Sequence, residues 1–317
     1  MPTDKLGRMS ATMPTDPGAP GPDAEPGENR PPLDAAVLAR RLVRPAGAFA
    51  VLDIVEDTGS TNIDLADRAR GSRYDLDDLT VLSAEHQSAG HGRLGRGWSA
   101  PARSSLAVSV YFAPGPPAGF APAGYPWLSM LCALALSEAL EAVAGIDAAI
   151  KWPNDVISGG AKISGLLAQL LPGAGAPAVI VGAGVNVSLS AGELPVPTAT
   201  SVLLRGGTCL DRTELLAGYL ERLGALYGGF RSVAGNPELP FAAGGPVEAG
   251  LRVRVSAAMA TLGERVRAEL PGGTELIGEA TGLGSDGSLL VRTADGKNHS
   301  VLAADVIHLR RADGSYA

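Results

Sequence analysis

Lys151-Trp-Pro-Asn-Asp155, followed by Lys162-Ile-Ser-Gly165, brings two cations, an amide and a carboxylate to the ends of adjoining elements. That mixture suits a nucleotide: lysines for phosphate, Asp155 for Mg²⁺, Asn154 for base or ribose edges. A Trp-Pro turn with a surface ion pair is the bland alternative, but Pro153 between an indole and an Asn-Asp pair makes a stiff and uncommon turn. A second constellation is Gly90-His-Gly-Arg-Leu-Gly-Arg-Gly-Trp98. Its alternating glycines let the backbone approach a ligand closely, and Arg93 and Arg96 can fork onto phosphate or carboxylate oxygens. Read alone, it is equally a solvated glycine-rich loop with weak RNA affinity. With few side chains to pack, such a loop is expected to be mobile until ligand arrives.

Gly59-Ser-Thr-Asn62 together with Gln87 supplies hydroxyls and primary amides that donate and accept at once, as a neutral polar head such as a urea requires. Helix capping is the simpler reading for Ser60 or Thr61 alone. Gly182-Ala-Gly-Val-Asn186 closes an apolar strand and places Asn186 where it could reach a bound base or simply end the strand. Trp98 and Trp152 can stack on flat rings or pack in the core.

The elements that must position these groups can be read from patterning. An Asp34–Val43 helix is stopped by Pro45, and Leu52–Val55 reads as a strand. Thr58-Gly-Ser-Thr-Asn62 supplies turn and cap chemistry for a helix through Arg70. Thr80–Ala84 is a strand running into the glycine-rich loop, Ser88–Ser99. Ser105–Phe112 alternates, with Leu106, Val108 and Val110 on one face, and residues 126–144 form the strongest helix. Lys162–Leu171 and Ala178–Leu189 are β runs joined by a hairpin loop over 172–177. Asp211-Arg-Thr-Glu214 is a capping box opening a helix through Tyr227. After residues 241–246 the chain turns to five or six short β runs broken by Gly-Ser-Asp-Gly (284–287) and Ala-Asp-Gly-Lys (294–297), the pattern of a small β-barrel.

Composition sets the outer limits. The 317 residues suffice for about two domains. We place a Pro/Gly-rich disordered tail at 1–32, a first domain at 33–243 and a second at 244–317. A net charge of −7 argues against broad nucleic-acid coating. Cys132 and Cys209 cannot build a disulfide framework or a Cys-based zinc site, and the four histidines lack ligand spacing. No signal-peptide core is present near the start, and the apolar stretch Trp127–Ile146 is broken by Ser129, Ser137, Glu138 and Glu141, too polar to span a bilayer. A soluble, cytoplasmic protein is the expectation.

In this order, across roughly residues 50–310, the motifs resemble those of the biotin protein ligases. The loop at 90–98 is similar to that family's Gly-Arg-Gly-Arg-Arg-Gly loop, and Lys-Trp-Pro-Asn-Asp with the downstream Lys-Ile-Ser-Gly is close to diagnostic. The end segment Asp305-Val-Ile-His-Leu-Arg310 resembles the family's SH3-like C-terminal domain. The resemblance implies an α+β fold: a mixed, largely antiparallel sheet with helices, of the class II synthetase-like kind, plus a small SH3-like barrel. It implies a two-step reaction. Biotin and MgATP give biotinyl-5′-AMP and pyrophosphate, and the biotinyl group then passes to a lysine of a biotin carboxyl carrier domain.

By motif match, Ser60, Thr61, Asn62 and Gln87 would hold the ureido ring, with Gly90, His91, Gly92 and the backbone at Gly165 also on biotin. Arg93 and Lys162 would meet the biotin carboxylate and the phosphate. Arg96, Trp98, Lys151, Asn154 and Asn186 would surround the adenylate, with Arg310 reaching in from the second domain. Asp155 is the candidate for Mg²⁺, held through the phosphates, or for the base of the second step. His91 and Leu94 replace two of the family's loop arginines, which predicts weaker or pH-sensitive retention of the adenylate. Ahead of the catalytic segment only about Leu33–Gly47 is ordered, too little for a helix-turn-helix, so operator binding is not expected. Two rivals remain: a lipoate or octanoate ligase of the same fold, which has no use for the Ser-Thr-Asn plus Gln set, and an RNA-binding module, which needs aromatics interleaved with basic residues.

Overall fold

The computed structural model describes residues 30–71, 76–115, 120–172, 176–303, 308–313 and 315–316. The expected tail therefore lies outside the described residues up to 29. Its last part is bound to the body: Arg30 pairs with Glu193 at 2.7 Å and donates to the Ser188 carbonyl, and the Pro31 carbonyl accepts from Arg212.

Helix α1 (Ala35–Leu42) opens where the Asp34 carboxylate accepts the Val37 N–H, which satisfies a donor that the first turn leaves free. Strand β1 (Val51–Thr58), helix α2 (Thr61–Arg70) and strand β2 (Thr80–Gln87) form a crossover unit, and β1 and β2 run parallel because the chain crosses through α2 between them. Both strands are longer than the apolar runs suggest; β2 carries Glu85 and Gln87 beyond Ala84. The glycine-rich loop is folded as a short hairpin, β3 (Gly90–His91) against β4 (Gly97–Trp98). Leu94 and Gly95 occupy left-handed conformations at its tip, with φ of 58° and 72°.

The next elements are β5 (Ser105–Phe112), α3 (Trp127–Ala144), the short β6 (Ala149–Lys151) and β7 (Asp155–Ser158), and the long hairpin β8 (Ala161–Leu171) and β9 (Ala178–Asn186). Seven strands make one sheet in the order β1-β2-β5-β9-β8-β7-β6, antiparallel except for the first pair. Of the 172–177 hairpin loop, residues 173–175 lie outside the described residues. Helix α4 (Arg212–Ser232) is capped by the Asp211 carboxylate, which accepts the Thr213 and Glu214 N–H groups. The reciprocal half of the expected capping box is replaced, because the Glu214 carboxylate pairs with Arg41 of α1 at 2.8 Å.

Alternation decides what each face of the sheet does. On β5 and β9, Leu106, Val108, Val110, Val179, Val181, Ala183 and Val185 face the main core, beneath α3 and α4. Residues of opposite parity, Leu82, Ala178 and Ile180, pack against Leu65 and Ala66 of α2 in a smaller cluster. Each fully buried Leu or Val contributes about 1.5–3 kcal/mol. By length and composition Pro122–Ala144 is apolar enough to cross a bilayer, which corrects the reading that it is too polar. Most of that stretch is buried within the protein, so its hydropathy reflects a core position.

Beyond α4, strands β10 (Phe241–Ala242) and β11 (Val247–Glu248) pair, and α5 (Leu251–Ala257) packs on α3. Five antiparallel strands follow in the order β15-β14-β13-β12-β16: β12 (Arg265–Glu269), β13 (Glu275–Leu283), β14 (Leu289–Thr293), β15 (Asn298–Val301) and β16 (His308–Arg311). Two indoles clamp the 284–287 turn to the larger unit. Trp127 Nε1 donates to the Ser285 carbonyl at 2.8 Å and Trp152 Nε1 to the Gly287 carbonyl at 3.1 Å. Trp152 is thus a core residue; of its two readings, packing holds.

Candidate functional site

The face of β9 that starts with Ala178 and Ile180 continues through Gly182 and Gly184 to Asn186. Two side chains are missing there, and a cavity of about 380 Å³ opens over the bare backbone. A Cβ on Gly182 would overlap the Asn62 amide, and one on Gly184 would overlap the Trp98 indole. On neighbouring β5, the small Ala107 and Ser109 share that face.

One end of the cavity is polar and neutral. Gln87 Oε1 accepts the Thr61 N–H at 2.8 Å, so Gln87 caps α2, and Ser60 at the N-cap position makes no such bond. The capping reading for the Ser60 side chain is therefore corrected, and Ser60 lines the cavity. Ser109, which sequence patterning left as an ordinary strand residue, lies 2.7 Å from Thr61 Oγ1 and 2.6 Å from Asn62 Oδ1. The Asn62 oxygen can only accept, so the Ser109 proton goes there, and the Asn62 amide nitrogen donates to the Leu167 carbonyl at 3.1 Å. Four residues from three elements are thereby locked into one hydrogen-bonded row.

The other end is charged. Among the described residues five cationic side chains line it, Arg93, Arg96, Lys151, Lys162 and Arg310, against one carboxylate, Asp155. Asp155 on β7 pairs across the ladder with Gly165 on β8, and a register shift after Val156 turns Lys162 toward the same side. Lys162 Nζ then sits 2.6 Å from Asp155 Oδ1, in the notch that Gly165 leaves. Burial pushes the Lys151 ammonium down to about 8, with Asp155 opposing and Lys162, Arg310 and Arg96 adding to the fall. Burial and then Arg96 also lower Arg93, with Asp155 opposing.

Arg93 reaches out of its hairpin to the Ala303 carbonyl in the second unit and to Asn154 Oδ1 at 3.4 Å, so in this structure the loop is folded onto its surroundings. Asn154 donates its amide to the Leu166 carbonyl, and Asn186 donates to Thr200 at 2.9 Å. Both asparagines line the cavity while holding its walls. The Trp98 indole N–H is buried without a hydrogen-bond partner, which leaves an unmatched donor beside the cavity.

Nearly every residue singled out from sequence converges here: His91, Gly92 and Gly165 line the cavity with those above. Gly90 does not. It sits behind the wall, where a side chain would collide with the Trp98 carbonyl and approach the Gln87 amide. Sequence reading missed Tyr316, whose hydroxyl donates to Asp155 Oδ2. Among the described residues no group of three His, Cys, Asp or Glu side chains could hold a metal. A divalent cation at Asp155 would have to bring most of its oxygen ligands with it, as Mg²⁺ on a triphosphate does.

Residues 63–186 match the model of the biotin/lipoate A/B protein ligase family, and residues 261–309 match that of the biotin protein ligase C-terminal domain. The chain is 38% identical to the biotin–[acetyl-CoA-carboxylase] ligase of Mycobacterium tuberculosis over 289 residues, covering 89% of this chain and 97% of that protein.

The chain belongs to the biotin protein ligase family.

It is accordingly a ligase, and the mixed sheet with its small antiparallel partner is the family fold. The structure titled biotin protein ligase from Aquifex aeolicus in complex with biotin and ATP aligns with a TM-score of 0.64 at 27% identity, covering 83% of this chain and all of that one. A ligase of the same name from Paracoccus denitrificans is 37% identical over 166 residues, 50% of this chain and 65% of that protein.

Proposed function

We propose that the chain joins the carboxylate of biotin to AMP and then passes the biotinyl group to a lysine of a biotin carboxyl carrier domain. The observation that carries this reading is the polarity of a single cavity, with a neutral hydrogen-bonding row at one end and five cations at the other. A urea-headed acid laid along it puts its ring against Ser60, Thr61, Asn62 and Gln87 and its carboxylate near Arg93 and Lys162.

A carboxylate resists attack by an amine because it is anionic and lacks a leaving group, so adenylation must come first. The carboxylate oxygen attacks the α-phosphorus, that bond forms, and pyrophosphate leaves with the electron pair of the bond that breaks. Two anions approach each other in this step, so fixed cations in a site of low effective dielectric give the largest help, on the order of several kcal/mol. Lys162, anchored by Asp155, and Arg93 fill that role. Lys151, Arg96 and Arg310 take the phosphates, Mg²⁺ enters with ATP as part of the substrate, and Trp98 supplies a ring face and an unmatched donor for the base. His91, Gly92 and Gly165 bring backbone close to the anhydride. The neutral amine of the carrier lysine then attacks the acyl carbon, the C–N bond forms, AMP departs with the electron pair of the acyl–oxygen bond, and the surplus proton of the nitrogen passes to solvent.

The same reading places the catalytic unit at 33–243 and the second at 244–317, the two meeting at the cation end of the cavity. It makes the protein cytoplasmic, without specific DNA binding. Incubation with ATP, Mg²⁺ and biotin followed by mass detection of biotinyl-AMP tests the first step. Competition of ATP–pyrophosphate exchange by biotin and by lipoate separates this reading from a lipoate ligase; inhibition by lipoate alone would overturn it.

A further inference from the structure

Tyr316 lines the charged end of the cavity. Its hydroxyl donates to Asp155 Oδ2, and the Lys151 ammonium lies 3.7 Å from the centre of its ring. A turn aims it there: the Arg311 N–H donates to the Ser315 carbonyl at 3.1 Å, and the Ser315 N–H donates to Asp313 Oδ1 at 2.8 Å, which folds the chain after β16 back toward Lys151. Among the described residues Asp155 is the one carboxylate lining the cavity, and its other oxygen is already held by Lys162 at 2.6 Å. With Tyr316 in place, both carboxylate oxygens are engaged and one ammonium is covered by an aromatic face. A cation over a ring interacts favourably, but a triphosphate needs that cation bare and any Mg²⁺ needs a carboxylate oxygen.

We propose that Tyr316 is an internal occupant of the nucleotide end of the cavity, held by Asp155 and Lys151, and that MgATP enters by displacing it. The inference rests on the reading above that phosphates lie at that end. Because the apparent affinity for a ligand falls by the fraction of molecules able to receive it, a docked tyrosine raises the KM for MgATP without touching the chemical step. The neutral end, formed by Ser60, Thr61, Asn62 and Gln87, is lined by other elements, so biotin binding in the absence of nucleotide is left unchanged.

The test is ATP–pyrophosphate exchange at saturating biotin with the full chain and its Tyr316→Ala and Tyr316→Phe variants. Tyr316→Ala is expected to lower the KM for MgATP by about tenfold at constant kcat, for a site open in roughly one molecule in ten. Tyr316→Phe keeps the ring over Lys151 and loses the bond to Asp155, so its KM falls between the two. The Kd for biotin alone, by calorimetry, stays at the wild-type value. A KM that is unchanged or raised in Tyr316→Ala overturns the proposal; a raised value would make the tyrosine a contact for ATP. A readout independent of turnover is nitration of Tyr316 by tetranitromethane, which should speed up when MgATP is added and would slow if nucleotide packed over the ring. Full exchange activity in Lys162→Ala would instead remove the nucleotide-end reading beneath the proposal.

Discussion

Lys162 Nζ stands 2.6 Å from Asp155 Oδ1, across the β7–β8 ladder, above a residue that has no side chain. Gly165 is what makes the pairing possible, since a Cβ there would come within 2.8 Å of the same ammonium. The carboxylate therefore fixes the direction of the lysine and the glycine provides its berth. Lys162→Ala should lower kcat for biotin-dependent ATP–pyrophosphate exchange by about 10²–10³-fold, the size expected for losing one fixed charge at the reacting centre. The pair is partly exposed, at 28% and 15%, so its loss should move the thermal midpoint little. A variant that unfolds early, or that keeps near-normal adenylate yield, would contradict the role.

Gly182→Ala places a methyl group on the Asn62 amide without disturbing the core, because residue 182 faces away from α3 and α4. Asn62 must then leave its bonds to Ser109 and the Leu167 carbonyl. We expect biotin affinity to fall by about 10–100-fold, in line with one or two lost buried hydrogen bonds at roughly 1.4 kcal/mol per tenfold. Calorimetry with biotin measures this, and the KM for MgATP should stay within about twofold.

Lys151 carries a pH dependence. Its folded pKa of about 8 lies below the unfolded value of about 10.4, so between those limits the unfolded chain binds more protons and stability rises with pH. Phosphate binding follows the opposite course, because the ammonium is lost as pH climbs through 8. The KM for MgATP should therefore increase from pH 7.5 to 9.5, approaching about tenfold per unit, while the biotin Kd stays level. A flat profile in KM would remove Lys151 from phosphate binding.

Glu85 and Arg212 form a pair that is almost fully buried, with Oε2 and Nη2 2.6 Å apart. Glu85 also accepts the Leu33 N–H at 2.6 Å, and Arg212 donates to the Pro31 and Ser105 carbonyls. Arg212→Ala leaves an uncompensated buried carboxylate and should cost about 3–5 kcal/mol in chemical denaturation. Replacing both charges, Glu85→Gln with Arg212→Met, should recover part of that loss. Equal destabilisation in the single and double variants would show that packing, not charge, is at stake.

Much of this arrangement was readable in the chain before any fold was known, and the exceptions have physical reasons. Ser105–Phe112 is legible because Leu106, Val108 and Val110 alternate, and the 126–144 helix because its apolar run is too long for a strand and holds neither Gly nor Pro between Trp127 and Ala144. Patterning ends strand β2 at Ala84 because Glu85 is a charge in a buried strand, made tolerable by Arg212, which is 127 residues away, and by the Leu33 N–H. The hairpin at 90–98 was invisible because it is held by backbone pairing among glycines, with no alternation to read. The motif residues of the cavity were legible as donors and cations; Ser109 was not, since a serine in a strand announces nothing until Thr61 and Asn62 are folded onto it. Tyr316 was missed for the same reason: it carries no motif, and only the turn after β16 brings it to Asp155.

The two glycines of β9 also bear on redesign. Their positions already hold the smallest group available, so the binding chamber cannot be deepened from below to admit bulkier vitamin analogues. Extra room must come from trimming the other walls, to which Leu167 and Val196 contribute, and Val196 is half exposed already. An enlarged enzyme for labelling chemistry would thus be sought at those two residues, with the strand beneath left untouched.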